Sequence, residues 1–245
     1  MINLVIDIGN SRTKIALFNQ DDLMFSVPLD HFTTNHIQLL KDEHPQLKKV
    51  ILSTVKPENP ELNQFLANNF EQFLELDHHT ALPIRNLYET PETLGKDRLA
   101  AAIGANELFP NQNILVIDAG TAITYDLVSA ENEFLGGNIS PGLEMRFKAL
   151  NHFTGKLPLV KSTDDFQKIG KNTNDAILAG VQNGLLYEVE QNIEFFGQQF
   201  QNLQVVMTGG DARFFDTKLK YPTFVHVNLT LIGLNRILEH NAKNN

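Results

Sequence analysis

The run Leu4-Val5-Ile6-Asp7-Ile8-Gly9-Asn10 and the run Leu115-Val116-Ile117-Asp118-Ala119-Gly120-Thr121 share one layout. Each consists of buried-strand residues, an aspartate, a glycine turn and a small hydrogen-bonding side chain. The apolar strand carries the acid to its tip, and the glycine beyond it lets backbone N–H groups approach a ligand closely. Anions and their metal ions fit such a turn. Its recurrence predicts a duplicated body of two lobes with a phosphate-handling cleft between the halves, which points toward ATP chemistry.

The sequence around these runs alternates between strand and helix patterns. A strand pair over 4–7 and 14–18 is joined by the Gly9-Asn10-Ser11 turn, and 50–53 forms another short strand. Apolar spacing predicts helices over 61–73 and 97–108, the second stopped at Phe109-Pro110. The division falls at 110–113, giving an N-terminal lobe 1–112 and a C-terminal lobe 113–245. The second half repeats the theme with a strand over 114–118, a hairpin partner over 122–128 and an arm over 133–138. Pro141 suits the first turn of a helix reaching Leu150, because its missing N–H would be unpaired there. Thr173 caps a long amphipathic helix toward Phe200, followed by a strand over 204–207 and a helix over 229–240.

Composition narrows the function. The 245 residues include no cysteine, which excludes disulfides, thiolate metal sites and cysteine nucleophiles. A net charge of −9 opposes binding to nucleic acid or anionic lipid. No long uncharged apolar run and no secretory leader are read, so the expected setting is cytoplasmic, away from membranes. Neither G-x-x-x-x-G-K-[ST], G-x-G-x-x-G nor H-E-x-x-H occurs, and His78-His79 reads as exposed.

Five places concentrate the chemistry. Asp7, Gly9, Asn10, Ser11 and Lys14 offer a carboxylate, a flexible backbone, hydrogen-bonding side chains and an ammonium, although a hairpin using Gly and Asn for turn geometry alone would look the same. The second copy, Asp118 to Thr124, favours the functional reading by adding a carboxylate and the hydroxyls of Thr121 and Thr124. Gly95-Lys96-Asp97-Arg98 stands just before a helix. Asp97 there is equally well a charged cap or a base, beside a guanidinium suited to an anionic group. The glycines of Gly136-Gly137-Asn138-Ile139-Ser140-Pro141-Gly142 point to unusual backbone angles or close approach, and Thr208-Gly209-Gly210-Asp211-Ala212 offers a backbone surface for adenine or ribose, or a plain turn.

These motifs, in this order, resemble the type III pantothenate kinases. So do Tyr88 with Pro91, Thr154 with Leu157-Pro158, and Gly170-Lys171-Asn172-Thr173. The resemblance spans nearly the whole chain, with Gly155 a mild departure where the family more often has alanine. It implies ATP-dependent phosphorylation of pantothenate, the entry step of coenzyme A synthesis. The implied fold is the duplicated actin-like ATPase fold shared by acetate kinase, sugar kinases, Hsp70 and actin, with two lobes around a nucleotide cleft. Carried over by motif, Asp7, Ile8, Gly9, Asn10, Ser11, Arg12, Thr13, Lys14 and Thr121 are implied ATP contacts. Tyr88, Gly95, Lys96, Asp97, Arg98 and Thr173 are implied pantothenate contacts, with Asp97 as proton acceptor. Asp118 is the implied ligand of a monovalent cation, K+ or NH4+, and Mg2+ arrives with ATP. The family is typically homodimeric. A phosphohydrolase, a kinase of another hydroxylated metabolite, and a non-catalytic ligand-sensing regulator are the alternatives.

Overall fold

A computed structural model describes residues 2–57 and 59–243, which divide into two units. Unit 1 comprises 1–110, 132–134 and 228–245; unit 2 comprises 111–131 and 135–227.

Unit 1 is built on a five-stranded sheet. Its strands are β1 (Ile2–Ile8), β2 (Thr13–Asn19), β3 (Asp22–Leu29), β4 (Leu47–Thr54) and β5 (Gln72–Glu75), in the order β3-β2-β1-β4-β5. The first three form an antiparallel meander, while β4 runs parallel to β1 and β5 parallel to β4. Leu4, Val5 and Ile6 are wholly buried, as a central strand covered on both faces requires. Helices α1 (Thr34–Glu43) and α2 (Pro60–Asn69) make the crossovers and pack Ile37, Leu62 and Leu66 onto Leu4, Ile6 and Leu52. Asn59 caps α2 by accepting from the Leu62 N–H at 3.1 Å, with Pro60 in the first turn.

The rest of unit 1 carries the Gly95-Lys96-Asp97-Arg98 motif. A short strand β6 (Arg85–Asn86) pairs with Glu133 and Phe134, and α3 (Lys96–Leu108) follows. Helix α3 packs against the C-terminal helix, Leu229–Lys243, backbone to backbone. A methyl on Gly233 would sit 1.8 Å from the Ala100 carbonyl oxygen, and one on Gly104 would sit 2.2 Å from that of Leu229. This crossing accounts for the small residues Ala100 and Gly104, one turn apart on the same face, because larger side chains there would hold the helices apart. The C-terminal helix is pinned to the sheet by Asn3 Nδ2, which donates to Asn235 Oδ1 and Glu239 Oε1, both at 2.8 Å.

Unit 2 repeats the plan. Strands β7 (Ile114–Ala119), β8 (Ala122–Val128) and β9 (Glu133–Pro141) form its meander, β10 (Gln204–Thr208) runs parallel to β7, and β11 (Phe224–Val225) runs parallel to β10. Between β9 and β10 lie α4 (Leu143–Phe153), α5 (Thr173–Leu178), a π-helical turn over 179–183 and α6 (Gly184–Gln199); α7 (Ala212–Asp216) follows β10. The buried stripe of α5 and α6, with Ile177, Leu185, Val189 and Ile193, packs on Leu115, Ile117 and Met207 of the sheet.

Several boundaries differ from the sequence expectation for physical reasons. The helix expected over 61–73 stops at Asn69, and Phe70 turns extended to feed β5, which the continuing apolar spacing concealed. Pro141 ends β9 instead of opening a helix, and Gly142 takes the cap position of α4. Asn172, not Thr173, caps α5 by accepting from the Asp175 N–H at 3.0 Å; Thr173 is the first helical residue. The last helix, expected in the lobe 113–245, falls in unit 1, where Gly233 abuts the Ala100 carbonyl of α3 and Asn235 and Glu239 accept from Asn3 of β1. Among the described residues no helix is long and apolar enough to cross a membrane.

The glycine crossing is testable. Gly233→Ala is expected to cost about 3 kcal/mol through forced separation of the two backbones. Gly197→Ala, at an exposed position of α6 with open space around it, is expected to gain about 0.5–1 kcal/mol. Urea denaturation of the two variants beside the wild type checks both signs.

Candidate functional site

In unit 1, β1 delivers Asp7 to a position register-paired with Lys14 on β2 and Ser53 on β4. The turn beyond it is closed by the Gly9 N–H donating to the Arg12 carbonyl at 3.1 Å. Asn10, Ser11 and Arg12 are exposed at the tip, Thr13 is buried, and the Ile8 carbonyl accepts from the Val55 N–H at 3.1 Å. The side chain of Arg12 pairs with Asp30 at 3.0 Å.

The Asp7 carboxyl is pushed up to about 6, chiefly by burial and further by the negative charge of Asp97; the Lys14 ammonium and the Ser53 hydroxyl oppose this. The two acids, from β1 and from the first turn of α3, therefore share one electrostatic neighbourhood. Asp97 Oδ1 accepts from the Arg98 N–H at 2.9 Å. A methyl on Gly95 would lie 2.6 Å from that oxygen, so glycine makes the room Asp97 occupies. Asp97 thus sits at the positive end of a helix, where ionised carboxylates are favoured. Arg98 is buried with its guanidinium over the Tyr88 ring, 5.6 Å from the centroid, and Tyr88 in turn leans on Phe134 at 6.2 Å. Lys96 is half-buried at the start of the same helix.

In unit 2, Asp118 is register-paired with Thr124 on β8 and Thr208 on β10. The turn that follows is closed by the Gly120 N–H donating to the Ala122 carbonyl at 3.1 Å, and two other motifs grip it. The Gly142 N–H donates to the Thr121 carbonyl at 3.1 Å, and a methyl on Gly142 would lie 2.2 Å from the Gly120 carbonyl oxygen. Gly209 has φ +96°, and a methyl there would lie 2.3 Å from the Ala119 carbonyl oxygen and 2.5 Å from Asp118 Oδ1. The Asp211 N–H completes the grip by donating to the Ala119 carbonyl at 2.9 Å, and its carboxyl is raised by burial and by the charge of Glu144. Thr124 Oγ1 is buried without a hydrogen-bond partner.

The structure thus gathers Asp7, Lys14 and Asp97 in unit 1, with Tyr88 and Arg98 stacked on each other, and sets Thr121 on the Asp118 turn in unit 2. Thr173 is exposed on the rim of an apolar groove of unit 2 lined also by Arg146, Phe153, Leu157 and Ile177. Sequence reasoning missed Ser53, whose signal is a polar residue ending a buried strand parallel to β1. It also missed that Gly142 and Gly209 serve the Asp118 turn, a tertiary contact without a local signature. His78 and His79 are exposed, as read, with their rings 3.9 Å apart. Among the described residues no group of three or more His, Cys, Asp or Glu side chains is placed to hold a metal ion.

The raised Asp7 carboxyl carries a pH signature. Folding disfavours its ionised form, so the penalty is absent below about pH 4, grows as pH rises toward about 6 and is complete above it. Asp7→Asn is therefore expected to stabilise the ligand-free protein by about 2–3 kcal/mol at pH 7.5 and not at all at pH 3.5. Urea denaturation at the two pH values checks the difference; an equal effect at both would show that the carboxyl is not perturbed.

Comparison with known proteins identifies the family and the fold. The family model described as type III pantothenate kinase matches residues 3–194. The chain is 43% identical over 242 residues to the type III pantothenate kinase of Phocaeicola vulgatus, covering 99% of this chain and all of that one. Among solved structures, a Baf family protein of Campylobacter jejuni, described as a transcriptional activator, is similar with a TM-score of 0.62 at 24% identity, covering 98% of this chain and 99% of that one. MreB5 of Spiroplasma citri bound to ADP is similar with a TM-score of 0.51 at 11% identity, covering 99% and 98%. These two show the fold alone, that of the actin-like ATPases. Because the family model covers both acid turns and the Gly-x-Asp-Arg motif, and the relative matches end to end, the chain belongs to the type III pantothenate kinase family.

Proposed function

We propose that the protein transfers the γ-phosphoryl group of ATP to the primary hydroxyl of pantothenate, the entry step of coenzyme A synthesis, with Asp97 accepting the hydroxyl proton. What supports this reading is membership of the type III pantothenate kinase family, together with the charge of Asp97, in the Gly95 to Arg98 motif, acting on the buried Asp7 carboxyl of the first acid turn. The hydroxyl oxygen forms a bond to the γ-phosphorus, the bond from that phosphorus to the β–γ bridging oxygen breaks, ADP departs, and the proton passes to the Asp97 carboxylate. Phosphoryl transfer of this kind has a loose transition state, so alignment and charge neutralisation matter more than base strength.

The other residues take roles that their settings allow. Asp7, Ile8, Gly9, Asn10, Ser11, Arg12, Thr13 and Lys14 receive the polyphosphate, with Thr121 as a further ATP contact. Asp7 beside the Ser53 hydroxyl fits a cation, since a positive charge there removes the penalty on the buried carboxylate. Mg2+ accompanying ATP would supply charge neutralisation at this place. Asp118, opposite the orphaned Thr124 hydroxyl, fits a monovalent cation, K+ or NH4+. Arg98, already oriented by Tyr88, suits the pantothenate carboxylate, and Gly95, Lys96 and Thr173 complete the substrate contacts. The family's homodimeric state is proposed for this chain as well. A phosphohydrolase or another kinase would share the Asp7 turn but leaves the Gly95 to Arg98 motif and its Tyr88 partner unassigned. A ligand-sensing regulator leaves the paired acids without a role.

Asp97→Asn is expected to lower kcat by roughly 10²–10⁴-fold while ADP affinity, measured by calorimetry, stays near wild type. A coupled ADP-release assay over pantothenate and a panel of other hydroxy acids tests the substrate: release with pantothenate no greater than the panel background overturns the proposal. Near-normal turnover of Asp97→Asn removes that residue from the role of base.

A further inference from the structure

One arginine outside the motifs reaches the Asp118 turn through a single peptide group. Arg146, in the first turn of α4, donates from Nε to the Pro141 carbonyl at 2.8 Å and from a terminal nitrogen to Ser140 Oγ at 3.0 Å. That nitrogen also meets Glu188 Oε2 at 2.5 Å, and Glu188 Oε1 accepts from the Tyr125 hydroxyl at 2.9 Å. Tyr125 is 1% exposed, and the Arg146 and Glu188 side chains are 22% and 27% exposed, so the chain of contacts runs inward from α4 and α6 to β8. Burial and the neighbouring Glu188 charge keep the tyrosine hydroxyl protonated and donating.

The Pro141 carbonyl and the Gly142 N–H belong to the same planar peptide unit. The guanidinium holds one end of that plane, and the other end donates to the Thr121 carbonyl at 3.1 Å. Gly142 also rests on the Gly120 and Thr121 carbonyls too closely for any side chain, so the plane cannot tilt without moving the turn.

We infer that Arg146, braced by Glu188 and Tyr125, is a positioning residue that orients the Pro141–Gly142 peptide and through it the Thr121 end of the Asp118 turn, setting affinity for nucleotide and monovalent cation. The inference rests on the proposed assignment of that turn to ATP and a cation. Arginine is needed because its fork engages the Pro141 carbonyl, Ser140 and Glu188 together, which a lysine ammonium on a flexible stem cannot reproduce in one plane.

The test uses the full chain with Arg146→Lys, Arg146→Met and Ser140→Ala. Initial rates are measured with ATP, K+ and pantothenate varied separately, and ADP binding is measured by calorimetry. Both Arg146 variants are expected to raise the apparent KM for ATP, the half-activating K+ concentration and the ADP Kd roughly tenfold, in line with losses of groups that orient ligands from behind. The KM for pantothenate is expected to rise by clearly less than these constants, since Arg146 shares a groove with Thr173 but bonds the Pro141 peptide, and Ser140→Ala to shift the nucleotide and cation constants in the same direction by less. A role confined to joining α4 to α6 would lower the melting temperature without this split. Folded Arg146→Lys with wild-type constants for ATP and ADP, or a pantothenate KM that rises in proportion, overturns the inference. Should Arg146→Met fail to fold, the other two variants decide. A wild type that K+ does not activate counts against the cation assignment of Asp118, and one that does not phosphorylate pantothenate counts against the proposed function. In either case the ADP Kd of Arg146→Lys still decides the role of Arg146.

Discussion

A carboxylate at the end of a strand covered on both faces is the constraint around which unit 1 is organised. Leu4, Val5 and Ile6 commit β1 to the interior, and this carries Asp7 to a place where its charge is disfavoured by burial. Asp97, projecting from the first turn of α3, adds a second negative charge to the same surroundings, while Lys14 and Ser53, one from each flanking strand, pull the other way. The sheet therefore brings the compensating groups as neighbours in register, and the helix brings the competing acid. On the proposed assignment, a cation-bearing polyphosphate is the ligand that settles this imbalance, which ties binding to ionisation at one residue.

Unit 2 begins from the same strand and turn and stabilises it by other means. No lysine faces Asp118 in register; its strand partners are two threonines. The turn is instead held by backbone groups of Gly142, Gly209 and Asp211, two of them at positions a side chain would block. The Ala119 and Thr121 carbonyls of that turn accept from the Asp211 and Gly142 N–H groups.

How far the sequence was legible follows from where each signal resides. The two acid turns, the hairpins after them and the helix opening at Lys96 were readable because their determinants are consecutive residues. The meander strand Asp22–Leu29 and helix Thr34–Glu43 were missed: β3 is an edge strand with a half-exposed, irregular pattern, and α1 buries Ile37 alone. Helix α2 was extended too far because Phe70 and Phe73 preserve the helical spacing after the backbone has left the helix. In the site, Asp97 was read as either charged cap or base; the cap position of the helix falls to Gly95, and Asp97 lies in the first turn with Oδ1 accepting from the Arg98 N–H. The purpose of Gly142 and Gly209 was out of reach, since the atoms that exclude a side chain there come from a distant part of the chain.

The pairing of α3 with the C-terminal helix bears on the order in which the molecule assembles. Unit 2 is nearly continuous in the chain, whereas unit 1 is closed by residues that follow it. During synthesis, the apolar and glycine-lined surface of α3 emerges early and waits for the whole of unit 2 to be translated before its cover arrives. Unit 2 can collapse on contacts already available, so the lobe bearing the first acid turn is the last to be completed although its residues are made first. Such long-range closure slows folding and leaves an adhesive face exposed meanwhile, which makes α3 the surface that a chaperone would have most reason to shield.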